Sequence, residues 1–159
     1  MDNRIETDMY GFGYTTNELW EKRWKDMVST DHDYDGDFLI RLVTHKLSLM
    51  RDYFINIAGK EKDSEIIVND TPTSVYKVIK YITMAYELGT RILTFNYGEE
   101  ADKIFEEKGE PSWLIESSEE ADYIEWSRLS EEAIENRKKD IEKFFRTIGR
   151  HINYWCVNG

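Results

Sequence analysis

The chain has 159 residues, one cysteine, seven Phe, ten Tyr, five Trp and a net charge of −11 at pH 7. That length buries a core without staples, a lone Cys156 excludes an internal disulfide framework, and the acidic balance argues against broad binding to duplex nucleic acid. No apolar run reaches the ~18 residues that cross a bilayer, and MDNRIETDMY lacks the basic and apolar regions of a secretory leader, so a cytoplasmic protein is expected.

The first helix is announced by Thr15-x-x-Glu18, a capping-box pattern, and is predicted over about Asn17 to Val28. Leu19, Trp20, Trp24, Met27 and Val28 recur at spacings that make one buried stripe.

Residues 30–42, TDHDYDGDFLIRL, then raise a chemical question. Asp31-x-Asp33-x-Asp35-Gly36 matches the first half of a calcium loop, with three carboxylates for a hard cation and a glycine for the turn. The second half fails, because Leu39 and Leu42 stand where such a loop needs oxygen ligands. The His32-Asp33 doublet of metal phosphohydrolases lacks its earlier histidine, since the other histidines are His45 and His151. Glu18-x-x-Glu21, Glu116-x-x-Glu119 and Glu132-x-x-Glu135 match half-sites of helical nucleotide pyrophosphatases, but a chain this acidic produces such pairs by chance. The plainer reading is that Asp35 or Asp37 caps the next helix. Packed acids beyond that need call for a cation, an arginine or a ligand, so Asp31, Asp33 and Asp35 stand as the candidate divalent-cation site. No other cofactor is expected.

The second helix carries Phe38, Leu39, Leu42, Val43, Leu47, Met50, Tyr53, Phe54 and Ile57 on one broad apolar face and stops at Gly59. Ile66, Ile67 and Val68 form either a short extended segment or the next helix start, and Thr71-Pro72 reads as a cap followed by proline at the first helical position. Val75, Val78, Ile79, Ile82, Met84, Ala85, Tyr86 and Leu88 continue at helical spacing up to Gly89, which ends or bends the helix before Ile92, Leu93 and Phe95.

Residues 96–129 read as an irregular acidic connector. Positions 99–125 hold eleven acids against Lys103 and Lys108, a local charge of −9. Ala101, Ile104 and Phe105 suggest a short helix that Gly109-Glu110-Pro111 ends, and Trp113, Leu114, Ile115, Tyr123, Ile124 and Trp126 fold back onto the body. The last helix is predicted from about Ser130 to Tyr154, with Ile134, Ile141, Phe144, Phe145, Ile148, Ile152 and Trp155 as its core stripe. These patterns specify an all-α, single-domain antiparallel bundle of about four main helices.

On the last helix, Lys139, Lys143, Arg146 and Arg150 lie four, three and four residues apart, beside His151. The second helix adds Arg41, His45, Lys46 and Arg51. If the two helices are neighbours, these side chains form a basic cleft suited to phosphate oxygens, with Tyr or Trp to stack on a base. The alternative is that the bases only answer Glu131, Glu132, Asp140 and the acidic connector. Gly11-Phe12-Gly13 is too short for a phosphate loop, and nothing polarises Cys156.

The segment DHDYDGDFLIRLVTHKLSLMRDYF resembles small proteins of tailed bacteriophages, in which an Asp-His-Asp-aromatic-Asp opening precedes a helix with a Lys-Leu-x-x-Met-x-x-Tyr core. FFRTIGRHINYWC is similar to their C-terminal helix, although Cys156-Val157 replaces the usual Trp-Asp ending. The resemblance covers about a third of the chain. It implies a phage accessory protein in the cytoplasm of an infected host, sequestering a small anionic nucleotide signal or binding a host protein. Arg41, His45, Lys46, Lys143, Arg146, Arg150 and His151 are the candidate ligand contacts. A metal-dependent nucleotide hydrolase is the enzymatic alternative. An acidic interaction module that inhibits a host protein is the other, and a homo-oligomer is compatible with each.

Overall fold

A computed structural model describes residues 17–31, 35–58, 65–68, 71–108 and 121–155. Among them are four main helices, α1 (Asn17–Val28), α2 (Asp37–Tyr53), α3 (Val75–Thr94) and α5 (Ala121–His151), with a shorter α4 (Glu99–Lys108) before the last. The chain is an all-α helical bundle with one small addition, an antiparallel pair of four-residue strands, β1 (Glu65–Val68) and β2 (Thr71–Ser74).

The middle of the bundle is α3, flanked by α2 and α5, both antiparallel to it. Arg51 near the end of α2 donates to the Thr83 hydroxyl at 2.9 Å, whereas Thr44 lies beside Gly89. On the other flank Tyr81 stacks on His151, and Arg91 reaches Asp140 at 3.1 Å. Val75, Val78, Ile82, Ala85, Gly89 and Ile92 are the buried positions of α3, alternating by three and four as a straight stripe demands. Ile40 and Leu47 meet that stripe from α2, Phe54 meets it from the π-helical turn Phe54–Ala58 that follows, and Phe144 and Trp155 meet it from the last helix and the residues after it.

Gly89 does not end its helix, which runs on to Thr94. A Cβ there would run into the Thr44 hydroxyl and lie 2.8 Å from the Phe144 ring. The glycine is the point where three helices come closest, and that contact overrides its poor helix propensity. On α2 the buried face is rotated from the expected one: Ile40 and Thr44 are buried, while Leu39 is 59% exposed. On α5 the stripe is narrower than expected, with Ile134 (70% exposed), Phe145 and Ile152 open to solvent.

Two boundaries are corrected. Thr71-Pro72 does not start α3; Pro72 sits in β2 opposite Ile67, and Ser74 precedes the first helical residue. In a two-stranded ribbon a proline can face outward with no ladder bond to lose, and the β-branched run Ile66–Val68 supplies its partner. Within the connector 96–129 the short helix expected around Ala101, Ile104 and Phe105 is α4, and the correction is that α5 begins at Ala121, well before Ser130. Lys108 at the end of α4 pairs with Asp122 at the start of α5 (2.5 Å), which fixes these two helices antiparallel. Arg128 binds Glu125 and Glu132 one turn to either side, so these acids are carried on a face of α5. Thr15, Gly59, residues 109–111, Trp113, Leu114, Ile115 and Cys156 lie outside the described residues. No described helix is long and apolar enough to cross a membrane.

Candidate functional site

The basic face of α5 does form a groove, but against α3 rather than α2. Tyr81 and Met84 of α3 face Lys139, Lys143, Arg146, Arg150 and His151 across a depression of about 480 Å³. The period of the α5 bases puts them along one edge of the helix, next to the buried Phe144. Glu142 is the one acid on the groove wall.

Ion pairing divides the described cations into two groups. Arg41, Arg91, Lys103, Lys108, Arg128 and Arg137 each hold a carboxylate within ion-pair distance. Lys139, Lys143, Arg146 and Arg150 hold none among the described residues, and Asp140, the nearest acid expected to answer them, points to the other side. There it accepts hydrogen bonds from Arg91 and from the Tyr97 hydroxyl (2.6 Å). Burial, reinforced by that acceptor, raises the Tyr97 pKa above its ordinary value. This network lines a separate cavity of about 450 Å³ between the end of α3, α4 and α5.

The His151 ring lies parallel to Tyr81, with centroids 3.7 Å apart and 10° between planes. Partial burial, and secondarily the charge of Arg150, lower its pKa, so the imidazole is held neutral further into the acid range than usual. The Lys80 ammonium lies 5.8 Å from the Tyr81 ring centroid. Beyond the stack a second cavity, about 390 Å³, is bounded by β2, the first turns of α3 and the chain after α5, with Lys77, Tyr154 and Trp155 among its walls.

The candidate residues on α2 are placed elsewhere. Arg41 donates to Asp35 at 2.6 Å. The His45 Nε2–H donates to the Arg23 carbonyl at 2.6 Å, a contact that assigns the tautomer because a carbonyl only accepts. Its ring meets Trp24 edge-on at 4.9 Å, so His45 fastens α1 to α2. Lys46 is exposed on α2 and does not line the α3–α5 groove.

Around the aspartates the capping interpretation accounts for what is described. Asp35 Oδ1 accepts the Asp37 backbone N–H (3.0 Å) while Oδ2 takes Arg41, and Asp37 pairs with Arg137 of α5 at 2.9 Å. Asp31 is exposed, and His32 and Asp33 lie outside the described residues. Among the described residues no three acids, histidines or cysteines gather as a metal set.

Tyr81, Lys77 and Tyr154 are the wall residues that sequence reading missed. Lys77 and Tyr81 are one turn apart on α3, as are His151 and Tyr154 at the end of the chain, and that spacing was the available signal. No family model matches the chain, and comparisons with curated proteins and with solved structures likewise find no match.

Proposed function

We propose that the protein binds and sequesters a small anionic nucleotide-type signal in the α3–α5 groove, as a phage accessory protein acting against a host defence would. The observation that carries this reading is the row of four cations without ion-pair partners among the described residues, set beside an aromatic wall in a chain of net charge −11. Unpaired cations crowded along one helix edge repel each other, and a phosphate anion relieves that repulsion while forming charge-assisted hydrogen bonds. The phage context rests on the resemblance of the Asp-His-Asp segment and the C-terminal helix.

Isothermal titration of the full chain against cyclic nucleotides, cyclic dinucleotides and ADP-ribose tests it. At least one ligand should bind, and Arg146→Glu should abolish the heat. Uniform absence of heat across the panel sinks the proposal.

A second reading, a host-protein inhibitor, draws on a different surface. Ile124 and Ile134 stand exposed on α5, each next in sequence to an exposed glutamate, Glu125 and Glu135. Binding there would weaken steeply with salt and would survive Arg146→Glu. In the hydrolase alternative Asp35 would have to hold its metal while also accepting the Asp37 N–H and the Arg41 guanidinium.

A further inference from the structure

The cavity beyond the Tyr81–His151 stack is chemically unlike the basic groove that it adjoins. Pro72, Val78, Tyr81, Tyr154 and Trp155 give it apolar and aromatic walls, and Lys77 is its one permanent cation. Ser74, at the N-cap position of α3, makes no capping bond with its side chain and lines the same cavity. Tyr154 is 53% exposed at this wall, an open ring face of the kind on which a flat heterocycle stacks. About 390 Å³ is within the range of small-molecule pockets.

The two cavities share Tyr81 and His151, so one ligand can lie across the stack. On the groove side, the helix rise from Lys139 to Arg150 is about 16 Å. Four cations spread over that length exceed what a single phosphoryl group can touch. We infer that this cavity beside the β1–β2 pair, the hairpin cavity, and the basic groove are two halves of one site for a nucleoside bearing at least two phosphoryl groups. The base lies against Tyr154 in the hairpin cavity. The phosphoryl chain crosses the Tyr81–His151 step onto Arg150, Arg146 and Lys143. This inference rests on the reading that the groove takes phosphate, and it adds the ligand class and a base subsite.

The test is calorimetric titration of the full chain with ADP, UDP, AMP, adenosine and pyrophosphate. At least one diphosphate should bind about tenfold tighter than either AMP or pyrophosphate. Tyr154→Ala should weaken that diphosphate about tenfold and leave pyrophosphate within about twofold, whereas Arg146→Ala weakens both. Because Tyr154 is more than half exposed, its truncation spares the core, and an unchanged thermal melt verifies this. Two results overturn the base subsite and leave the groove reading standing: pyrophosphate matching both diphosphates, or Tyr154→Ala weakening diphosphate and pyrophosphate alike. AMP matching the diphosphates overturns the two-phosphoryl requirement. Silence from all five probes, together with silence from the wider nucleotide panel, overturns the inference and the groove reading together.

Discussion

Substituting Gly89 with alanine probes the centre of the fold, where two opposing effects can be weighed. Alanine in place of glycine inside a helix gains about 1 kcal/mol of intrinsic propensity. Against that, the added methyl meets the Thr44 hydroxyl and the Phe144 ring at 2.8 Å, and both residues are buried, Phe144 completely. Overpacking of a rigid core typically costs about 1–3 kcal/mol, and a clash against two separate helices belongs at the upper end. The net loss is therefore about 2 kcal/mol, or a fall in Tm of about 4–8 °C for a chain of this size. Urea titration followed by helical circular dichroism measures it. Adding Thr44→Ala should recover about 1 kcal/mol, because it removes one wall of the clash and a buried hydroxyl with no partner among the described residues. A Gly89→Ala protein as stable as the parent, or more stable by the propensity gain, would refute the three-helix contact at this position.

His45→Ala should detach α1, raising amide exchange across residues 21–28 and costing about 1–2 kcal/mol, with phosphate affinity unchanged; loss of phosphate binding in a folded variant would return His45 to the ligand site. Asp35→Ala should cost about 1–2 kcal/mol through the lost cap and the lost Arg41 contact, read by thermal melting. Calcium or magnesium should leave the parent Tm unmoved, and a rise abolished by Asp33→Ala would restore the metal reading. His151 gives a pH signature. Its folded-state pKa lies below the ordinary 6.5, so its contribution to stability is present above that pH and is lost as pH falls through the folded-state value. Between about pH 8 and about pH 5 the parent should lose more stability than His151→Phe, while its affinity for pyrophosphate rises as the imidazole gains charge. A difference between the two proteins that does not change with pH would refute this account.

How much of this was legible depended on whether a feature belonged to one helix or to several. The bounds of α1 and the basic row of α5 follow from local periodicity, and both were read directly. The phase of α2 was not, since apolar residues surround much of that helix. Only the approach of α3 selects Ile40 and Thr44 over Leu39. Gly89 looked like a break because propensity is local, whereas its role is a contact with residues 45 and 55 positions away in the chain. Asp122 and Glu125 were read as part of an irregular connector, but a surface helix carries such charges when Lys108 and Arg128 answer them. The groove itself shows the same division. One wall was visible as a spacing of four, three and four, whereas the other depended on which helix lies in the middle of the bundle.

The placement of charge on α5 has a physical explanation only in part. The negative end of the helix dipole favours cations in the last turn, which accounts for Arg150 and His151. The effect fades within one turn and does not reach Arg146, Lys143 or Lys139. Glu135 lies one turn before Lys139 and Glu142 one turn before Arg146, yet neither closes to ion-pair distance on them among the described residues. At physiological salt the screening length is about 8 Å, so Asp122 and Glu125 at the start of the helix are screened from the groove, in which Glu142 is the one acid against four cations. An anion entering the groove therefore meets a locally positive field in spite of the chain's net charge of −11. Lys139, Lys143 and Arg146 lie beyond the reach of the dipole and hold no carboxylate at ion-pair distance among the described residues, so a bound anion would offset a charge that Glu142 alone does not.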